Sequence, residues 1–365
     1  MIGPAEMRKP LPALDSRGLG VELALSFTKQ LGVNPRKANR ILTQLAQRCC
    51  SHIARACSKI DNRWSKAISV KPCVIVNPAA GRIVDLSAIL KELSRLRPSE
   101  VHLTRQEGDA EVFARKAILA GCNYLIAAGG DGTLNQVVNG IARARGARKI
   151  CVGLLPLGTG NDFARSLGLP ETREDNIDIL RAGKTTQIDL VRVKCNRIRY
   201  FVNVSAGGFS GVVDEKVTPA IKRTWGPLAY VRGAASALSQ LQAYRTTMVF
   251  DDKERLSLDL YNVVVANGRF VAGGLPIAPD ADPSDGLLDI ILIPSQPAAE
   301  FALLAAQILL GKHVSNEAVI FQRATKMKIN SRPAMSFNVD GELVGNEPAV
   351  FQVVPHALNF ITGKR

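Results

Sequence analysis

Three segments of this sequence set glycine beside residues that could meet an anion. They are Asn77-Pro78-Ala79-Ala80-Gly81-Arg82, Gly129-Gly130-Asp131-Gly132-Thr133 and Pro156-Leu157-Gly158-Thr159-Gly160-Asn161-Asp162. Glycine lets a backbone approach a ligand closely, and the N–H groups at a helix start favour phosphate oxygens. One such loop could be steric in origin; three at matching positions point to a nucleotide site. Two common nucleotide signatures fail. Gly183-Lys184-Thr185 ends like a P-loop, but Asp178 stands where that motif opens with glycine. Gly158-Thr159-Gly160 begins a dinucleotide fingerprint, but Phe163 takes the place of its third glycine. Neither a P-loop NTPase nor a Rossmann dehydrogenase is supported.

Each loop needs a strand before it and a helix after it, and the hydrophobic pattern supplies both. Apolar runs predict strands over 73–76, 101–103, 124–128 and 151–155. Helical patterns follow over 86–96, 109–120 and 134–143, with another starting near Phe163. Strands alternating with helices predict an α/β fold: a doubly wound, mostly parallel nucleotide-binding domain over residues 72–190, its loops where such sheets bind ligands. Beyond Leu190 strand-like runs dominate, over 191–193, 200–204, 247–250, 258–265, 287–293, 326–329, 335–339 and 350–354. They predict a second, largely antiparallel β domain over 191–354, with helical insertions over 219–241 and 297–310. The tail from about 355 to 365 is expected to return to the first domain.

In order and spacing, the three loops resemble the catalytic domain of diacylglycerol kinases and related bacterial lipid kinases. The resemblance continues with Gly273-Gly274, Ala278-Pro279-Asp280-Ala281, Asp285-Gly286-Leu287-Leu288-Asp289 and Asp340-Gly341-Glu342. It covers residues 72 to about 360. The Gly-Gly-Asp-Gly loop alone is shared with NAD kinases and phosphofructokinases. The resemblance implies transfer of the γ-phosphate of ATP to a lipid hydroxyl, most simply that of diacylglycerol, giving phosphatidic acid. A ceramide or sphingoid base is the alternative acceptor. It further implies that ATP is held by Asn77, Pro78, Gly81, Thr104, Gly129, Gly130, Asp131, Gly132, Thr133, Asn135, Gln136, Gly158, Thr159 and Asn161. Asp131 would lie beside the phosphates. A magnesium ion would sit at Asp285, with backbone oxygens near Asp282 and Leu287, and Glu342 would take the proton from the lipid hydroxyl. Phosphoryl transfer does need positioning, neutralised phosphate charge and a carboxylate near the attacking hydroxyl. Two positions depart from the family's habit: Gln136 where glutamate is common, and Ser210 where the loop usually ends in aspartate.

Charge bears on the partners. The chain carries 47 Lys+Arg against 32 Asp+Glu, a formal +15 over 365 residues. Residues 1–71 hold 13 Lys+Arg and 4 Asp+Glu, so +9 of that excess belongs to an N-terminal arm. Charge alone leaves nucleic acid and an anionic membrane both open. Within the arm, Asn34-Pro35 starts a helix whose apolar stripe (Leu42, Leu45, Cys49, Ile53, Ile60, Trp64) leaves Arg48, Arg55, Lys59 and Arg63 mostly outside it. That stripe could lie on a membrane, pack on the protein's own body, or belong to a targeting segment. The arm has few aromatic residues and no recognisable nucleic-acid module, so no nucleic-acid partner is expected. With a lipid kinase implied, the arm is read as facing anionic headgroups. The expected location is the cytoplasmic face of a membrane, and a homodimer is left open. No apolar run is long enough to span a bilayer. The odd cysteine count, seven without CxxC spacing, fits a reducing compartment. His52, His102, His313 and His356 show no ligand spacing. A soluble-metabolite kinase and a non-enzymatic nucleotide-dependent membrane binder are the competing classes.

Overall fold

The computed structural model describes residues 72–362 apart from 82, 145–149, 211–240, 310, 312, 314–315 and 346–347. The basic arm, Arg82, Lys222, Arg223, Trp225 and all but the last residue of the helix expected over 219–241 lie outside the described residues.

Strands β1 (Cys73–Val76), β3 (Tyr124–Gly129) and β4 (Cys151–Pro156) are buried along their whole length. Such continuous apolar runs belong in a parallel sheet covered on both faces. With β2 (Glu100–Leu103) at the edge they pair in parallel in the order β2-β1-β3-β4. Alternate residues serve opposite faces. Val74, Val76, Ile126 and Ala128 pack with Ile89 and Leu93 of α1 (Leu86–Ser94) and with Ile177 and Leu180 of α5 (Arg173–Ala182). Ile75, Leu125, Ala127, Val152 and Leu154 pack with Ala110, Ala114 and Ala117 of α2 (Asp109–Leu119) and with Leu134, Val137 and Ile141 of α3 (Asp131–Arg143). This is the doubly wound arrangement, and the short helix α4 (Asp162–Ser166) follows β4.

The remaining strands pair antiparallel. They are β5 (Thr185–Lys194), β6 (Ile198–Phe201), β7 (Val204–Gly208), β8 (Tyr244–Phe250), β9 (Glu254–Ala266), β12 (Leu288–Pro294), β13 (Ile320–Ala324), β14 (Lys326–Arg332), β15 (Phe337–Val339) and β16 (Glu342–Gly345). A small hairpin, β10 (Phe270–Val271) and β11 (Leu275–Pro276), stands apart. Helix α6 (Ala298–Leu309) sets Phe301 and Leu304 against Val264, Ile291 and Ile293. The fold is thus the expected one, a parallel α/β half and an antiparallel half with helices.

The long strand β17 (Ala349–Ile361) splices the halves. Val350–Val354 pairs antiparallel with Lys194–Leu190 of β5, while Asn359 and Phe360 run parallel to Cys151 and Val152 of β4. The result is one continuous sheet, ordered β16-β15-β7-β9-β8-β14-β17-β4-β3-β1-β2. Among the described residues no helix is long and apolar enough to cross a membrane. Two of the described histidines have structural partners: His102 stacks on Phe113, and buried His313 meets the Ile277 carbonyl oxygen at 2.9 Å. Cys73, Cys122, Cys151 and Cys195 are free thiols.

Asp189 of β5 is wholly buried and pins the splice. Its carboxylate accepts the Gly286 N–H and the His356 N–H, each at 2.7 Å. Replacing Asp189 with alanine orphans two part-buried donors, at a cost of up to about 1–3 kcal/mol for the pair. Asp189→Asn, which can still accept from one, is expected to lose less. Urea denaturation of the three proteins checks that order.

Candidate active site

The three glycine loops meet at the ends of β1, β3 and β4. Asn77 follows β1; its backbone N–H donates to the Ala128 carbonyl at 2.9 Å, and its Nδ2 to Thr133 Oγ1 at 3.2 Å. A Cβ on Gly81 would lie 2.5 Å from Thr159 Oγ1, so the first loop touches the third through that glycine. The second and third loops are closer still. A Cβ on Gly158 would fall 2.5 Å from the Gly130 Cα, backbone that cannot give way, and the Leu157 N–H donates to the Gly129 carbonyl at 2.8 Å. Asn161, at φ +54°, closes the third loop on itself: its Oδ1 accepts from Gly158 N–H and its Nδ2 donates to the Gly158 carbonyl.

Asp131 begins α3 and reaches across to the next helix. Its two oxygens accept the Asp162 and Phe163 N–H groups, both at 3.1 Å, so it satisfies donors at the start of α4. Asp162 is buried and accepts from Gly273 and Gly274, at 2.7 Å for Gly274 N–H to Oδ1. Burial first, and then the charge of Asp131, push Asp162 up to about 6.

The Asp340-Gly341 dipeptide is the two-residue turn between β15 and β16. Both residues have positive φ, +45° and +90°, as the favoured hairpin turn demands. Asp340 points inward. Its Oδ2 accepts from Asn135 Nδ2 at 2.8 Å and its Oδ1 from the Val204 N–H at 3.0 Å. Burial, reinforced by the Asp131 charge, pushes Asp340 up to about 7 against the pull of those donors. The turn thereby delivers Glu342 to the first position of β16, where its Oε2 lies 3.3 Å from Arg199 Nη2 and 4.0 Å from Arg197 Nη2.

The structure therefore brings together Asn77, Gly81, Gly129, Gly130, Asp131, Thr133, Gly158, Thr159 and Asn161. Pro78 lies in the turn after Asn77, Gly132 in the first turn of α3, and Thr104 just past β2, its N–H bonded to the Val76 carbonyl. Two expected nucleotide ligands are otherwise engaged. Asn135 is buried and donates to Asp340 and to the Tyr200 carbonyl, and Gln136 Oε1 accepts the Gly108 N–H at 3.1 Å. Asn135 couples elements because its side chain points from α3 towards β6 and the β15–β16 turn. Ser210, the second departure, donates through N–H and hydroxyl to Asn262 Oδ1.

Asp282, Asp285 and Leu287 lie in the turn before β12 (Leu288–Pro294). Their turn is satisfied by the chain itself. Asp285 Oδ1 accepts the Leu287 N–H at 3.0 Å, Asp285 Oδ2 meets Arg323 Nη2 at 3.2 Å, and Asp282 Oδ1 accepts from Ser284 N–H and hydroxyl. No three metal-ligating side chains cluster among the described residues. One oxygen of Asp285 is taken by Arg323, so a divalent ion held there with backbone oxygens of this turn would share the carboxylate with that guanidinium. The cation at this turn is Arg323.

Asp162, Asp340, Asn139 and Arg199 belong to the site without having been expected in it. Asn135-x-x-x-Asn139, two asparagines one turn apart on a helix, was the available signal. Asn139 Oδ1 accepts the Tyr200 N–H and its Nδ2 donates to the Tyr200 carbonyl, fastening β6 to α3.

The raised acids set a pH dependence. Where a carboxyl has a higher pKa folded than unfolded, its contribution to stability is full below about pH 4. It is lost as pH rises through the folded value, here about 6 for Asp162 and about 7 for Asp340. Melting temperature is expected to fall between pH 5 and 8, and Asp340→Asn to flatten part of that slope; a slope unchanged by the substitution contradicts the assignment.

Comparison with known proteins identifies the family. Residues 71–193 match the family model described as the diacylglycerol kinase catalytic domain, and residues 203–362 the YegS C-terminal NAD kinase beta sandwich-like domain. A diacylglycerol kinase of Bacillus subtilis is 32% identical over 286 residues, 76% of this chain and 91% of that one. One of Staphylococcus epidermidis is 33% identical over 299 residues, 80% and 92% of the two chains. The fold matches the crystal structure of a diacylglycerol kinase from Bacillus anthracis with a TM-score of 0.60 at 20% identity, covering 80% of this chain and 97% of that one. With its catalytic and C-terminal domains both matched and relatives aligned over nearly their full length, the chain belongs to the diacylglycerol kinase family, and it is a kinase.

Proposed function

We propose that the protein transfers the γ-phosphate of ATP to a lipid hydroxyl, with diacylglycerol as the acceptor and phosphatidic acid as the product. The observation that carries this reading is the coupling of Asp340 to Asn135. It ties the hairpin bearing Glu342 to the helix that starts at the second glycine loop. Phosphate loops and a carboxylate are thus held on one scaffold, which a transfer reaction needs because most of its catalysis is positioning and charge stabilisation.

In this reading the N–H groups of the three loops receive the phosphates. Asp131 keeps the start of α4 in place, and the near-contact of Gly130 with Gly158 excludes side chains from the cradle. Magnesium enters with the nucleotide as the Mg–ATP complex, part of the donor substrate, and neutralises phosphate charge. Glu342 accepts the proton of the attacking hydroxyl as the new P–O bond forms. The relatives named diacylglycerol kinase support the acceptor. The basic arm holds the enzyme at the cytoplasmic face of an anionic membrane, each basic residue that reaches the surface adding roughly 1 kcal/mol of attraction.

Labelled ATP offered with diacylglycerol, ceramide, sphingosine and phosphatidylglycerol in detergent micelles tests the acceptor, with label expected in diacylglycerol. Label in NAD and none of the lipids overturns the lipid reading. Glu342→Gln and Asp131→Asn are each expected to lower transfer at least about 100-fold while the protein stays folded. Removal of residues 1–65 is expected to weaken binding to anionic liposomes in a salt-dependent way and to leave transfer to dispersed lipid intact. Sedimentation of liposomes at two salt concentrations measures it.

A further inference from the structure

Arg199 lies in β6, yet its side chain is only 14% exposed, because it is spanned between two carboxylates. Nη1 donates to Glu111 Oε2 at 2.7 Å, and Nη2 faces Glu342 Oε2 at 3.3 Å. Glu111, on α2 and 16% exposed, is held from behind by Arg143 at the end of α3, which donates to its other oxygen. Four charges of alternating sign, Arg143, Glu111, Arg199 and Glu342, thus run from the α2–α3 pair to the first residue of β16. The backbone beneath Arg199 is fixed as well, since Asn139 binds both the N–H and the carbonyl of Tyr200. The Arg199 Nε is buried without a hydrogen-bond partner: the guanidinium is placed to reach its two carboxylates and not to satisfy every donor.

We propose that Arg199 is a positioning residue for Glu342, aiming one oxygen of that carboxylate at the acceptor hydroxyl, with Glu111 as its counter-anchor. The proposal rests on the reading of Glu342 as the base. The planar fork of arginine can hold two carboxylates in fixed geometry, which lysine does only as a point charge. Arg197 and Arg199 both face Oε2, and Arg197 is itself tied to the Leu343 carbonyl at 2.9 Å. Among the described residues no contact falls on Oε1, so that oxygen is the one left to meet substrate. Glu111 takes the other arm of the fork, so the guanidinium is held from both ends and cannot swing away from Glu342. The charged groups around Glu342 are then Arg197 and Arg199 beside it, Asp340 on its own hairpin, and Glu111 behind Arg199.

The test uses the full chain with Arg199→Ala, Arg199→Lys, Glu111→Gln, Glu342→Gln and the Arg199→Ala/Glu342→Gln double variant. Transfer to diacylglycerol in mixed micelles is followed for kcat and for KM of ATP. Arg199→Ala is expected to lower kcat about 10- to 100-fold with KM for ATP unchanged. Glu111→Gln, which frees the far arm of the fork, should lower kcat by a smaller factor. Arg199→Lys should recover part of kcat, and the double variant should be no worse than Glu342→Gln. Rescue by lysine together with that lack of additivity is not produced by a bridge that only stabilises the fold. If Glu342→Gln is inactive while Arg199→Ala keeps the wild-type kcat, the positioning role is overturned and the base stands. A change in KM alone overturns it too, marking Arg199 as a substrate contact. An active Glu342→Gln removes both base and positioning residue. Should Arg199→Ala fail to fold, Glu111→Gln decides, and an unchanged kcat there overturns the proposal.

Discussion

One face of helix α3 sets the geometry on which the rest depends. Asp131, Asn135, Asn139 and Arg143 recur every four residues and so line a single stripe. Each holds a different element: the start of α4, the Asp340 turn, the backbone of β6, and Glu111 of α2. The opposite stripe, Leu134, Val137, Val138 and Ile141, is buried against the parallel sheet. A helix amphipathic in this sense has an apolar side that fixes where it lies and a polar side that fixes what may approach it. Because Asn135 and Asn139 are buried, each must be matched or costs its full desolvation, so the fit tolerates few alternatives.

The carboxylates show the same economy from the electrostatic side. Asp131, Asp162 and Asp340 sit close enough for the charge of Asp131 to raise both others. Backbone and amide donors counter that repulsion without removing it. The neighbourhood is therefore strongly disposed to receive positive charge, while the Asp285 turn has already found its own in Arg323. The two acidic regions look alike in sequence, each an Asp-Gly turn, and differ in whether the chain supplies the cation.

Much of the fold could be read from residue order alone. The unbroken apolar runs of β1, β3 and β4 and the helices after them fall where the pattern puts them, because burial on both faces leaves a plain signal. Elements with weaker marks were not read. Helix α5 announces itself only by Thr172 accepting from the Asp175 N–H and by Gly183 at its end, and β16 is only four residues long. The glycine loops were legible as a group, since close backbone approach demands glycine and leaves it visible. Asn135 and Gln136 were legible as polar residues of a phosphate-loop helix, but their orientation was not, because which way an amide points depends on what the fold brings opposite it. Arg199 had no local mark at all. Its significance arises from Glu111 and Glu342, 88 and 143 residues away in the chain.

Strand β17 carries a consequence for how the molecule comes into being. It lies inside the sheet, with β5 along one edge and β14 and β4 at the two ends of the other, though it is the last in order of the described strands. During synthesis β4 emerges some two hundred residues before its neighbour. Until residue 361 has left the ribosome, that edge of the nascent parallel sheet stays unpaired, with Ile188, Leu190 and Val152 lacking the strand that covers them. Such late, long-range closure makes for slow folding and for exposure to wrong partners. Of all its strands, the one that completes the sheet is the one that a growing chain must wait longest to receive.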